Sequence, residues 1–184
     1  SKIVVNVVVG TIPVVLAGFF LYDYVEGYLR NVEVVAWATI GFGALLYIAD
    51  QVGMTVRRTE HIGIPTAIVI GIAQVLALIP GTSRSGITMT AARFMGMERS
   101  ESARFSMLLS MPTILAAGVL TSYKLWESGN MTLGHDAILA AIVSFFAALL
   151  AIFLMMAWLK RASYTPFVLY RFLLGGFLLY YIYA

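Results

Sequence analysis

The chain has 184 residues, of which 61% are hydrophobic and only 11% charged, and its mean hydropathy is +0.91. A soluble globular domain must wet its surface with far more charge, so that class is excluded and the bilayer is the natural solvent. The formal charge of +3 arises from 12 Lys and Arg against nine acids, an excess that in a membrane protein sets orientation rather than nucleic-acid binding. With no cysteine in the sequence, neither a disulfide framework nor a thiolate metal site is available.

Ser1-Lys2 shows neither an initiator methionine nor a basic leader, which predicts that sequence precedes it. Residues 3–22 form the first apolar run long enough to cross about 30 Å of hydrocarbon, and membrane helices tolerate the proline it contains, Pro13. A polar stretch over 23–33 separates it from a second span at 34–52, so residues 1–53 hold two spans, and a basic loop over 55–61 follows. Residues 64–95 behave differently. Their apolar halves, 64–79 and 87–95, are each too short to cross as a helix, and Pro80-Gly81-Thr82-Ser83-Arg84-Ser85-Gly86 lies between them. Pro80 removes a backbone donor and Gly81 and Gly86 release φ, so two half-helices meeting at a turn are predicted. Three more spans, at 103–122, 137–159 and 166–183, fill residues 100–184, with a kink expected at Pro112. The predicted fold is a single all-α integral membrane domain over 1–184, with about five transmembrane helices and one re-entrant helical hairpin.

The cations test the re-entrant reading, because cytoplasmic loops collect Lys and Arg. If residues 64–95 enter and leave on one side, that side holds eight cations (Lys2, Arg57, Arg58, Arg93, Arg99, Arg104, Lys160 and Arg161) against Arg30 and Lys124 on the other. Had the segment crossed, the count would be four against six, so the bias supports a hairpin that starts in the cytoplasm and points its apex toward the opposite face.

Arg84 thus lies at membrane depth, where a guanidinium is costly unless it faces a wet cavity and an anion. Gly81 and Gly86 let backbone N–H groups approach a ligand, Thr82, Ser83, Ser85 and Thr88 add hydroxyl donors, and the helix from Ile87 turns its positive end to the same point. The pattern is that of a phosphate cradle. Gln74, one amide in an apolar half-helix, is read either as a core hydrogen bond to a neighbouring helix or as a contact behind the cradle. Arg171, five residues past Pro166, is expected to snorkel to the cytoplasmic interface, with a role at the site as the alternative. Asp50 and Glu33 are expected to be solvated helix ends and His61 and His135 solvated loop residues. Tyr170, Phe172, Phe177, Tyr180, Tyr181 and Tyr183 are expected to face lipid or form an interfacial belt.

The run Gln74-Val75-Leu76-Ala77-Leu78-Ile79-Pro80-Gly81-Thr82-Ser83-Arg84-Ser85-Gly86-Ile87-Thr88 resembles the second signature of the bacterial undecaprenyl-diphosphate phosphatases, the bacitracin-resistance family. Similarity extends through residues 105–112 and 166–172. The resemblance implies two inverted-topology repeats, each with a re-entrant pair. It also implies a hydrolase of the bacterial inner membrane, with its site toward the periplasm, that removes the terminal phosphate of the polyprenyl diphosphate carrier of peptidoglycan synthesis. Arg84 would clamp the diphosphate with Ser83 and Thr88 as companions, and a divalent cation, Mg or Ca, is implied. The family's first signature, a glutamate-rich half-helix leading into Pro-x-Ser-Ser-Thr-Gly-His, has no counterpart in these residues. The nucleophile, acid/base group and metal carboxylates are therefore expected outside them, in a missing amino-terminal half; that half or a homo-oligomer is the protein partner the reading allows. A transporter or flippase for a lipid phosphate is the alternative function, because broken helices and inverted repeats also build transporters.

Overall fold

The computed structural model describes residues 2–53, 58–59, 62–127 and 131–184, without the side chains of residues 22, 23, 26, 117, 120, 121, 124–126 and 131–136. Among the described residues every regular element is helical: α1 Lys2–Tyr24, α2 Val32–Val52, α3 Ile64–Val75, α4 Arg84–Phe94, α5 Arg99–Glu127, α6 Met131–Leu159 and α7 Thr165–Tyr183. A π-turn, Val25–Leu29, extends α1, and a 3-10 turn, Leu76–Leu78, extends α3.

Four helices are long and apolar enough to cross a membrane, over Lys2–Leu21, Val32–Val52, Ala137–Leu159 and Thr165–Tyr183. The protein is thus a multi-pass, all-α membrane protein. The remaining expected span, 103–122, lies within the 29-residue α5, which carries Pro112 inside it. His135 falls within α6 rather than in a loop, correcting the expectation, while His61 lies outside the described residues.

Hydrogen bonds at the helix ends show how residues 64–95 run. At one end of the bundle the Asn6 amide donates to the Ile62 carbonyl (2.8 Å), the Thr59 N–H to the Glu101 carboxylate (2.9 Å), and Arg93 Nη2 to the Gly53 carbonyl (2.9 Å). Arg99 Nε and the Tyr164 N–H meet the Asp50 carboxylate at the same end, at 2.6 and 3.2 Å. The Tyr183 hydroxyl joins the Glu33 carboxylate at the other end, where α2 starts and α7 finishes. Residue 62 and residues 93–99 therefore share an end: the pair enters and leaves on one side. At 1.5 Å per residue, α3 and α4 are each about 17–18 Å long, too short to do otherwise.

Asp50 corrects an expectation. It is 2% exposed and bonded to Arg99 and to the backbone of Tyr164, so it is a buried knot rather than a solvated end. Together with Arg93, which donates to the Asp50, Gly53 and Met97 carbonyls, it ties α2, α4, α5 and α7 into one base.

Small residues let the helices close on the hairpin. A Cβ at Gly71 would stand 2.3 Å from the Gly10 carbonyl oxygen, so α3 lies directly on the backbone of α1. On the other flank Gly175 of α7 meets Ile40 of α2.

Candidate functional site

The apex begins where α3 runs out. Pro80 cannot donate, and Gly81 takes φ +92°, a region open to glycine. A side chain there would also collide with α2, because its Cβ would lie 2.4 Å from the Val35 carbonyl oxygen. The Gly81 carbonyl accepts from Thr39 Oγ1 at 3.2 Å, which anchors the turn to α2. Thr39 is seven residues from the start of α2 and 11 from Asp50, so the apex sits about 16 Å above the base and about 10 Å below the opposite end.

α4 then starts at Arg84, three residues earlier than the apolar pattern predicts, because Ser83 caps it. Ser83 adopts φ +65°, and its Oγ accepts the Gly86 N–H at 3.3 Å while its carbonyl accepts that of Ile87 at 3.0 Å. Gly86 is accordingly helical, and its smallness serves close approach: a Cβ would lie 3.1 Å from Arg171 Nη1. With those two amides taken, the N–H groups of Arg84 and Ser85 are the ones left at the positive end of the helix.

The predicted cradle residues separate into two layers. Ser83 and Ser85 are exposed, with their Oγ atoms 3.5 Å apart, and Arg84 is half-buried. Its Nη1 donates to the Ser110 carbonyl of α5 at 3.4 Å, a long bond, and no carboxylate pairs with it among the described residues. Thr88 stands behind, 1% exposed, its hydroxyl 2.6 Å from Ser106 Oγ and bonded to the Arg84 and Ser85 carbonyls. Thr82 is fully buried and its hydroxyl has no partner among the described residues. Gln74 is 1% exposed with neither amide atom bonded among the described residues, so the expected core hydrogen bond is not formed.

Arg171 corrects another expectation. It does not snorkel: it is 8% exposed and turns inward, donating from Nε to the Thr39 carbonyl (3.1 Å) and from Nη2 to the Gly81 carbonyl (2.9 Å). Gly43 leaves room for its stem, since a Cβ there would meet Arg171 Cβ at 3.2 Å. A cavity of about 610 Å³ opens beside it, polar at Ser83, Ser85 and Arg171 and apolar along Met89, Met155 and Phe167. Tyr170 also lines this cavity as well as being 64% exposed, while Phe177, Tyr180 and Tyr181 are exposed as expected.

No group of three His, Asp or Glu side chains among the described residues could hold an ion. The described residues do not fit the implied divalent cation.

A re-entrant pair within a helical bundle, broken partway through its depth at a helix N-terminus flanked by Arg84 and Arg171, defines a multi-pass membrane protein with a polar break in its interior. Residues 1–177 match the family model described as bacitracin resistance protein BacA, and the chain belongs to that family. It is 46% identical over 181 residues to undecaprenyl-diphosphatase 1 of Rhodospirillum rubrum, covering 97% of this chain and 64% of that protein. Its identity to the undecaprenyl-diphosphatase of Alteromonas mediterranea is 45% over 184 residues, covering 100% of this chain and 69% of the relative. For that of Chromohalobacter salexigens the values are 48% over 173 residues, 94% and 65%. The chain spans about two thirds of the length of these curated relatives.

Proposed function

We propose that this chain carries the phosphate-binding part of a membrane phosphatase that hydrolyses undecaprenyl diphosphate to undecaprenyl phosphate and inorganic phosphate, recycling the lipid carrier of peptidoglycan synthesis. The observation that carries this reading is the N-terminus of α4, where Arg84 and the N–H groups of Arg84 and Ser85 share the first turn with no carboxylate paired to them among the described residues. Phosphoryl transfer needs such donors, because negative charge spreads over the equatorial oxygens as the terminal phosphate passes to water. Family membership and the relatives' shared name support the same substrate.

The attacking water must be positioned and deprotonated, and no residue at this apex is suited to that task. It is assigned to the family's first signature, which lies outside these 184 residues, and any divalent cation would bind with it. The hairpin's basic end belongs in the cytoplasm of the bacterial inner membrane, which directs the apex to the periplasmic side.

Phosphate release by the full-length protein tests the reading. Replacing Arg84 with Ala should lower turnover about 100-fold or more with the folded fraction unchanged, whereas near-normal turnover would overturn it.

A further inference from the structure

Two arginines stand at the first turn of α4, and of the two only Arg171 lines the apolar-walled cavity. Arg84 turns toward α5, where Ser110 accepts its one side-chain hydrogen bond among the described residues, and it does not line the cavity. Arg171 rises from α7 on the α2 side and forms part of the cavity wall, continuous with Met89, Met155, Phe167 and Leu174. Its Nε and Nη2 are held by the Thr39 and Gly81 carbonyls, which fixes the guanidinium plane. Nη1 lies beside Gly86, which lines the same cavity: a Cβ there would stand 3.1 Å from Nη1 and 3.2 Å from Ser83 Oγ.

A lipid diphosphate is as asymmetric as this site. One phosphate must lie beside the apolar chain and the other must not. We infer that the two arginines divide the headgroup: Arg171 binds the phosphate that carries the lipid, and Arg84 binds the terminal phosphate that departs. The inference rests on the phosphatase reading above and assigns each end of the substrate to a side chain.

The chemistry is consistent with this division. Water forms a new bond to the terminal phosphorus, and the bond from that phosphorus to the bridging oxygen breaks. The bridging oxygen leaves on the lipid-linked phosphate with the bond's electron pair, and the water's proton is lost to base or to a phosphate oxygen. Charge therefore gathers in two places. Arg84 faces the phosphoryl group in transfer, while Arg171 faces the leaving group and afterwards the product.

The test separates substrate turnover from product binding. In the full-length protein, inhibition by a polyprenyl monophosphate reports the Arg171 side alone, and phosphate release reports both. Arg171→Ala should weaken monophosphate inhibition at least about tenfold, with Arg171→Lys intermediate. Gly86→Ala, which keeps the charge but crowds both Nη1 and Ser83 Oγ, should shift inhibition in the same direction, and an unchanged thermal unfolding temperature in these variants separates the effect from a folding defect. Arg84→Ala should abolish turnover yet leave monophosphate binding, measured directly by displacement of a labelled lipid, within about twofold. Loss of monophosphate binding in Arg84→Ala, or its retention in Arg171→Ala, would overturn the division while leaving the phosphatase reading intact. If neither arginine variant changed turnover, the phosphatase site itself would be misplaced.

Discussion

At the base of the re-entrant pair, Arg93 is 1% exposed and donates to three carbonyl oxygens, with the Asp50 carboxylate 3.8 Å from its Nε. At the apex, Arg84 is half-buried and, among the described residues, its side chain makes one bond of 3.4 Å and has no carboxylate partner. Both belong to α4, at its last and first turns, so the contrast does not come from the element that carries them. It comes from how far each guanidinium is satisfied. Hydrogen bonds to fixed carbonyls make a buried cation a fastener; unspent donors beside a helix N-terminus make it a receptor. Arg171 shares both features: two of its nitrogens hold the turn, and the residue forms part of the cavity wall.

The contrast is most exposed to failure at the base. Asp50→Ala strands Arg93 and part of Arg99 without their anion and should lower stability by about 3–5 kcal/mol, seen as a large drop in thermal unfolding temperature in detergent. A stable variant would show that the base is not the fastener. At the apex, Gly81→Ala meets both an unfavourable φ and the Val35 carbonyl, and should cost about 1–3 kcal/mol together with most phosphate release. Ser83→Ala removes the cap of α4. About 1 kcal/mol of stability should go with it, and turnover should fall further than stability alone explains, because the freed first turn no longer points at the phosphate.

The smallest effect concerns pH at the basic end. Burial alone would raise the Glu101 carboxyl, but the bonds from the Thr59 hydroxyl and N–H, together with the charges of Arg104 and Arg58, outweigh it and hold it below its ordinary value of 4.5. A depressed carboxylate contributes stability above 4.5 that is lost as pH falls through its lower, folded value. Glu101→Gln should therefore flatten the acid limb of a pH–stability profile slightly; an unchanged limb would count against the Thr59 contact.

The broken helix was legible because its signals are local: Pro80 and Gly81 interrupt an apolar run, and the cations on either side of it report its sidedness. The start of α4 was less so, since its extra turn depends on Ser83 taking a positive φ, which no periodicity shows. Arg171 and Asp50 were misread for a common reason. Arg171 binds the backbone of residues 132 and 90 positions away, and Asp50 accepts from an amide 114 positions away. Backbone partners leave no mark in the sequence, so an arginine inside a span looks like one reaching for the interface. Thr88 was identified as a polar residue of the right segment, but only the packing of α5 shows that its hydroxyl is engaged with Ser106.

The claim that the apex of the re-entrant pair holds the substrate's phosphates is tested most directly by labelling at Ser85, which is exposed beside the cavity in residues that contain no cysteine. In the full-length protein with any other cysteine removed, Ser85→Cys should react with a membrane-impermeant thiol reagent added from the periplasmic side, and undecaprenyl diphosphate should slow that reaction several-fold. Reaction only from the cytoplasmic side, or a rate indifferent to the lipid diphosphate, would contradict it.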